Sequence, residues 1–334
     1  MNTAMLDDVS LIALLVAMGL YAAAFIAFAL DLARRSALVA DAATAAARQP
    51  SAVGATAARR GGTATLEREP VASGPDAPVA AGRSISLNVA MVLLVVGFVA
   101  HAVATVLRGL AASRVPWANM YEFAMTGTLL ILSVYLIVLT RRDLRFLGTF
   151  VTGLILILLG IAVVQYRVEV APLPPSLQSY WLVIHVFVAA LGTGFFALAF
   201  ALSGVQLLQF RRESLAADAQ SMKLRFLATL PDSVTLESMA YRLNIVGFIF
   251  WTFTLMAGAI WAERAWGRYW GWDTKEVWTF IIWVLYAGYI HARATRGWRG
   301  SRSAWLAIIG FSAVMFNFGV VNVFFKGLHT YSGL

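Results

Sequence analysis

An all-α, polytopic integral membrane bundle is the fold class this sequence predicts, and three observations predict it. Apolar residues make up 60% of the chain, charged residues only 13%, and the mean hydropathy is +0.76, a balance that water-soluble domains do not carry. Apolar runs of about 20 residues, enough to cross a roughly 30 Å hydrocarbon core as helix, recur along the sequence. The runs are continuous, which gives helices and not the alternating strands of a barrel.

Taken in order, the runs predict about eight transmembrane helices, near 9–30, 86–107, 120–140, 146–166, 180–209, 243–262, 277–292 and 303–325. The first follows acidic Asp7 and Asp8 and precedes Arg34 and Arg35, the reverse of a signal peptide's basic start, so it is read as a true span. Residues 36–84 are rich in Ala, Arg, Gly and Pro and nearly free of large apolar side chains; they read as a disordered cytoplasmic linker. This divides the chain into an accessory helix (1–35), the linker (36–84) and a seven-helix core (85–334). No internal repeat of the kind found in inverted-repeat transporters is visible.

A formal charge of +9 raises the question of nucleic acid, and the placement of the 26 basic residues answers it. With the amino terminus outside, the loops 31–85, 141–145, 210–242 and 293–302 fall inside and hold 7, 3, 5 and 4 Lys or Arg, against 7 elsewhere. That asymmetry is the positive-inside rule, and it predicts both termini extracytoplasmic. No basic patch is left for nucleic acid. The chain has no cysteine, which excludes disulfides, thiol catalysis and thiolate metal ligation by its own residues. Residues 231–242 carry apolar side chains at helical spacing, consistent with an amphipathic interfacial helix or with an extension of the sixth span.

Five tryptophans fall between 261 and 278: Trp261, Trp266, Trp270, Trp272 and Trp278. Interfacial belts use one or two rings per helix end, whereas here several lie in the loop itself, spaced by Gly267 and Gly271. Stacking rings, glycines, the cations Arg264, Arg268 and Lys275, and Asp273 as an internal brace suit a flat anionic ligand such as haem; an elaborate interface anchor is the competing reading. Only four histidines occur, His101, His185, His291 and His329. His185 near the outer end of span five and His329 just past span eight can reach the tryptophan loop, and imidazole is a common axial ligand of haem iron. Their plainer reading is interface hydrogen bonding. His101 and His291 lie within spans, where an ionisable side chain is costly and a functional candidate by default, although their predicted depths differ.

With Trp266-Gly-Arg-Tyr-Trp270-Gly-Trp272-Asp273-x-Lys275-Glu276-x-Trp278, then His291, then Asn322 through Gly327-Leu-His329, the sequence resembles the CcsA/ResC family of system II cytochrome c biogenesis, within the haem-handling superfamily named for its Trp-Trp-Asp (WWD) motif. Pro116, Asn119, Tyr121 and Glu122, and Trp181 to His185, resemble further family elements. Thr274 stands where the family has Pro, so a looser turn into span seven is expected.

The resemblance implies haem b as substrate and bound ligand, with His185 and His329 as external axial ligands, His101 and His291 as a transmembrane pair, and Trp266, Arg268, Trp270, Trp272, Asp273 and Trp278 around the haem. It implies a bacterial cytoplasmic membrane location with the loop at 262–278 on the outer face. The implied partners are a CcsB/ResB-type membrane protein, apocytochrome c with its Cys-x-x-Cys-His thiols, and thiol-reducing proteins of the pathway, besides membrane lipid. The chain then belongs to a holocytochrome c synthase in which no acid, base or nucleophile is obvious. A haem chaperone without attachment activity, or a secondary transporter with an aromatic gate, are the alternatives.

Overall fold

The structure, a computed structural model, describes residues 2–48, 84–173, 178–216 and 225–329. Among the described residues eight long helices run up and down a bundle: α1 (Thr3–Arg48), α2 (Ile85–Ala112), α3 (Met120–Leu139), α4 (Gly148–Gln165), α5 (Tyr180–Ala216), α6 (Ser233–Trp266), α7 (Thr274–Arg296) and α8 (Ser301–Phe316). The last continues through a π turn, Asn317–Val321, into a final turn, Asn322–Phe324. No strand occurs among the described residues. Seven of the eight are long and apolar enough to cross a membrane. The exception is α7, predicted as a span at 277–292. At 23 residues it has the length, about 35 Å of helix, but Lys275, Glu276, Arg293 and Arg296 fill its end turns.

Side chains at the termini set the helix starts. Asn119 caps α3 by accepting from Glu122 N at 2.9 Å, and Asp232 caps α6 by accepting from Thr235 N at 2.8 Å; each satisfies a backbone donor that the first turn leaves unpaired. The segment 231–242 is therefore the beginning of α6 and not a separate interfacial helix. Helix α1 runs on to Arg48, into the stretch read as linker from 36. That stretch is alanine-rich with no Gly or Pro before Pro50, and alanine is the strongest helix former. Residues 49–83 lie outside the described residues.

Helix α1 packs along α2 and α4, burying Leu14, Ala17, Tyr21, Ala24 and Phe28 in the same apolar core as the other helices. A buried ion network fastens its start: Arg108 of α2 donates to Asp7 at 2.5 Å and to Glu122 of α3 at 3.0 Å, and Glu122 also accepts from Arg114 at 2.6 Å. Deep in the bundle α5 packs on α3, α6 and α8. There Phe196 of α5 stacks on Tyr286 of α7 with centroids 3.6 Å apart. This places the start of α5, the end of α6, the start of α7 and the end of α8 together at one face, which also carries the tryptophan loop.

Candidate functional site

At that face the bundle opens into a cavity. Its walls come from α3 (Phe123, Ile131), α5 (His185), α6 (Trp251, Trp261), the tryptophan loop (Tyr269, Trp270), α7 (Lys275, Glu276) and the end of α8 (Asn317, Asn322), with His329 beyond it. Most of this lining is apolar or aromatic, with a few polar groups converging on it, the composition of a small-molecule site.

The two histidines are held alike. His185 Nδ1 lies 3.0 Å from the Thr254 carbonyl of α6. That approach requires Gly258 one turn on, because a Cβ there would stand 2.7 Å from the imidazole. His329 Nδ1 lies 2.7 Å from Asp273 Oδ2, while Asp273 Oδ1 accepts from Leu328 N at 3.3 Å. Gly327 is again a matter of room, since a side chain there meets the Asp273 carboxylate. With Nδ1 engaged on both rings, each Nε2 has no hydrogen-bond partner among the described residues and both rings line the cavity. An Nδ1–H donated to a carbonyl or carboxylate fixes the tautomer and leaves Nε2 its lone pair, the usual state of a metal-ligating imidazole. The hydrogen bond to His329 holds the Asp273 carboxyl below the usual carboxylate range, against the opposing effect of burial.

Trp261 joins the two rings. It is 1% exposed, lies nearly parallel to His185 at a centroid distance of 5.8 Å, and meets His329 edge-on at 5.4 Å. Trp266 backs His329 from another side at 4.7 Å.

The remaining predicted residues divide. Trp270 lines the cavity. Trp272 is turned out and 76% exposed, with φ at +60°, a left-handed conformation that costs a bulky residue roughly 1–2 kcal/mol. Trp278 packs against Phe316 at 4.4 Å and is not in the lining. Arg268 sits 3.5 Å from Glu276. Asp273, expected to brace the loop, does so as the N-cap of α7 in a capping box with Glu276 while also holding His329, and Glu276 accepts in turn from Gly271 N at 2.8 Å and Asp273 N at 3.1 Å. The turn into α7 is thus tied without the family's proline.

His101 and His291 are not brought into one site. His101 is buried on α2, with Nδ1 3.2 Å from the Tyr21 hydroxyl of α1 and Nε2 3.0 Å from the Met125 carbonyl of α3. His291 stands exposed on α7, five residues before Arg296 at its end.

A family model described as cytochrome C assembly protein matches residues 117–329. The chain belongs to that family. Among its relatives is a protein named cytochrome c biogenesis protein CcsA from Guillardia theta, 36% identical over 245 residues, covering 68% of this chain and 80% of the relative. Proteins of the same name from Heterosigma akashiwo (32% over 248 residues, 66% and 77%) and Prochlorococcus marinus (30% over 271 residues, 75% and 86%) are also similar. The family match takes in the cavity, the tryptophan loop and both cavity histidines, and leaves out α1 and α2.

Proposed function

We propose that this membrane protein holds haem b in the cavity at its tryptophan-loop face and presents it for attachment to apocytochrome c during cytochrome c maturation. The observation that carries the reading is the matched pair His185 and His329. Each is fixed through Nδ1, each leaves Nε2 without a hydrogen-bond partner among the described residues, and both line one aromatic cavity. These residues fit haem iron as axial ligands, with Trp261, Trp266 and Trp270 supplying flat apolar surface. In attachment each apocytochrome thiol adds its S–H across a haem vinyl bond, forming a carbon–sulfur bond with no leaving group. With no cysteine, this chain leaves the thiols to the substrate, and its own contribution is proximity and orientation.

On this proposal the loop lies on the outer face of a bacterial cytoplasmic membrane. A CcsB/ResB-type protein completes the synthase, and thiol-reducing proteins keep the substrate's cysteines reduced. A second, intramembrane site through both His101 and His291 rests on the family resemblance and requires the helices to move from the arrangement seen. The test is the absorption spectrum of protein purified in mild detergent after haem-replete expression. Wild type is expected to carry bis-histidine haem, and His185→Ala and His329→Ala each to lose it or change its spectrum. Absence of haem in wild type, or unchanged spectra in both variants, overturns the proposal. Co-expression with a cytochrome c reporter, with and without the partner, separates attachment from simple presentation.

A further inference from the structure

Of the three cations in the tryptophan segment, only Lys275 is built into the cavity wall. Arg264 points away, 66% exposed and 3.5 Å from Glu263, and Arg268 is drawn to Glu276. Lys275 Nζ instead donates to two neutral oxygens of the α8 end, the Asn317 carbonyl at 2.9 Å and Asn322 Oδ1 at 2.6 Å. The first of these carbonyls belongs to the π turn. An ammonium group has three N–H donors, and the third has no partner among the described residues. No carboxylate of the described residues lies within 4.0 Å of Nζ, although the neighbouring Glu276 also lines the cavity; its Oε2 accepts from Gly271 N and Asp273 N, and its Oε1 faces Arg268.

Beside Lys275, the Asn317 side chain is 4% exposed and its Oδ1 is buried with no hydrogen-bond partner. Native proteins rarely leave such an atom unmatched. The residue lines the cavity beside Lys275, and its amide carries N–H donors as well as the unpaired oxygen, so Lys275 and Asn317 can donate together to one acceptor inside the cavity. A cation with no carboxylate of the described residues in ion-pair contact, next to an amide oxygen without a partner and facing a cavity, is complementary to an anion.

We infer that the corner formed by Lys275, Asn317 and Asn322 is a carboxylate-receiving subsite, and that it fixes the orientation of a ligand otherwise held by aromatic surface and the two imidazoles. The inference rests on the haem reading, under which the carboxylate is a propionate and the opposite, vinyl-bearing edge is the one presented to the substrate's thiols.

The test uses the full chain in detergent, titrated by absorption with haem and with haem dimethyl ester, in which both propionates are neutralised, and corrected with protein-free micelles. Wild type is expected to bind haem about tenfold or more tightly than the ester, the size of a charge-assisted hydrogen bond. Lys275→Met is expected to bind both at the ester's affinity, Lys275→Arg to keep most of the preference, and Asn317→Leu to lose part of it. Equal affinity of wild type for the two ligands overturns the inference with no variant needed, and so does a preference undiminished in Lys275→Met. Either result leaves the haem reading standing. Failure of wild type to bind both ligands removes the reading and the inference together.

Discussion

His101 and His185 are both placed against a neighbouring helix's backbone carbonyl, Met125 in one case and Thr254 in the other, at the same 3.0 Å. They differ at the second nitrogen. In His101 it is occupied by the Tyr21 hydroxyl, so the imidazole ties α1, α2 and α3 to one another; in His185 it is left over, next to a cavity. A histidine in a membrane bundle becomes a candidate ligand through what its second nitrogen lacks and not through depth or burial alone. His329 repeats the His185 arrangement with a carboxylate in place of the carbonyl. That is the stronger orienting partner, because a charged acceptor roughly doubles a hydrogen bond.

The comparison can be broken most directly at Asp273. Asp273→Asn keeps the shape but removes the charge that orients His329, and haem retained through purification is expected to fall ten- to hundredfold, as for other partners of metal-ligating histidines. Retention equal to wild type would show that His329 is oriented by its ring contacts with Trp261 and Trp266 instead. Gly258→Ala tests the other ring. The added methyl displaces the imidazole from Thr254, and a loss of about tenfold in haem occupancy is expected, since small misplacements in a constructed site are costly. The spectrum should then resemble that of His185→Ala.

A pH series sharpens the contrast between carboxylate and carbonyl. The Asp273 carboxyl is held low in the folded protein, so its contribution is complete above the ordinary carboxylate value of about 3.9 and is lost as pH falls through the lower folded value. Thermal stability followed from pH 6 downward should decline less steeply at the acid end in Asp273→Asn than in wild type. The smallest effect is expected from Tyr21→Phe, which removes one buried hydrogen bond from His101. A loss of about 1 kcal/mol in stability, with the haem spectrum unchanged, is expected. A changed spectrum would show that His101 takes part in haem binding after all.

The sequence made the bundle legible because span length and apolarity are local properties; α7 is the least apolar of the eight because Trp278, Trp283, Tyr286, Tyr289 and His291 stand between its end turns and charges fill those turns. The two cavity histidines could be found because span order and loop position bring the ends of α5 and α8 to one face. Direction was not legible. Trp270 and Trp272 are two residues apart, yet the left-handed backbone at Trp272 sends one ring to the cavity and the other outward. Trp278 faces Phe316 by the helical phase of α7. Trp261, which touches both imidazoles, looked like the mere start of an aromatic run. The pairing of Asp273 with His329 spans 56 residues, and no spacing rule reports contacts so distant in the chain. Gly258 gave no signal, because a glycine in an apolar helix announces nothing until its neighbour across the interface is known.

The π turn at Asn317–Val321 also sets a rotational clock for everything after it. One extra residue advances the following chain by about 100° around the helix axis relative to an unbroken α-helix. Asn322, and the tail that delivers Gly327 and His329 to Asp273, are aimed by that advance. A single-residue deletion within the turn would restore regular winding at no loss of helix, yet swing the tail by more than a quarter of a revolution. An insertion or deletion of one residue here is therefore expected to matter more than most substitutions of the same residues.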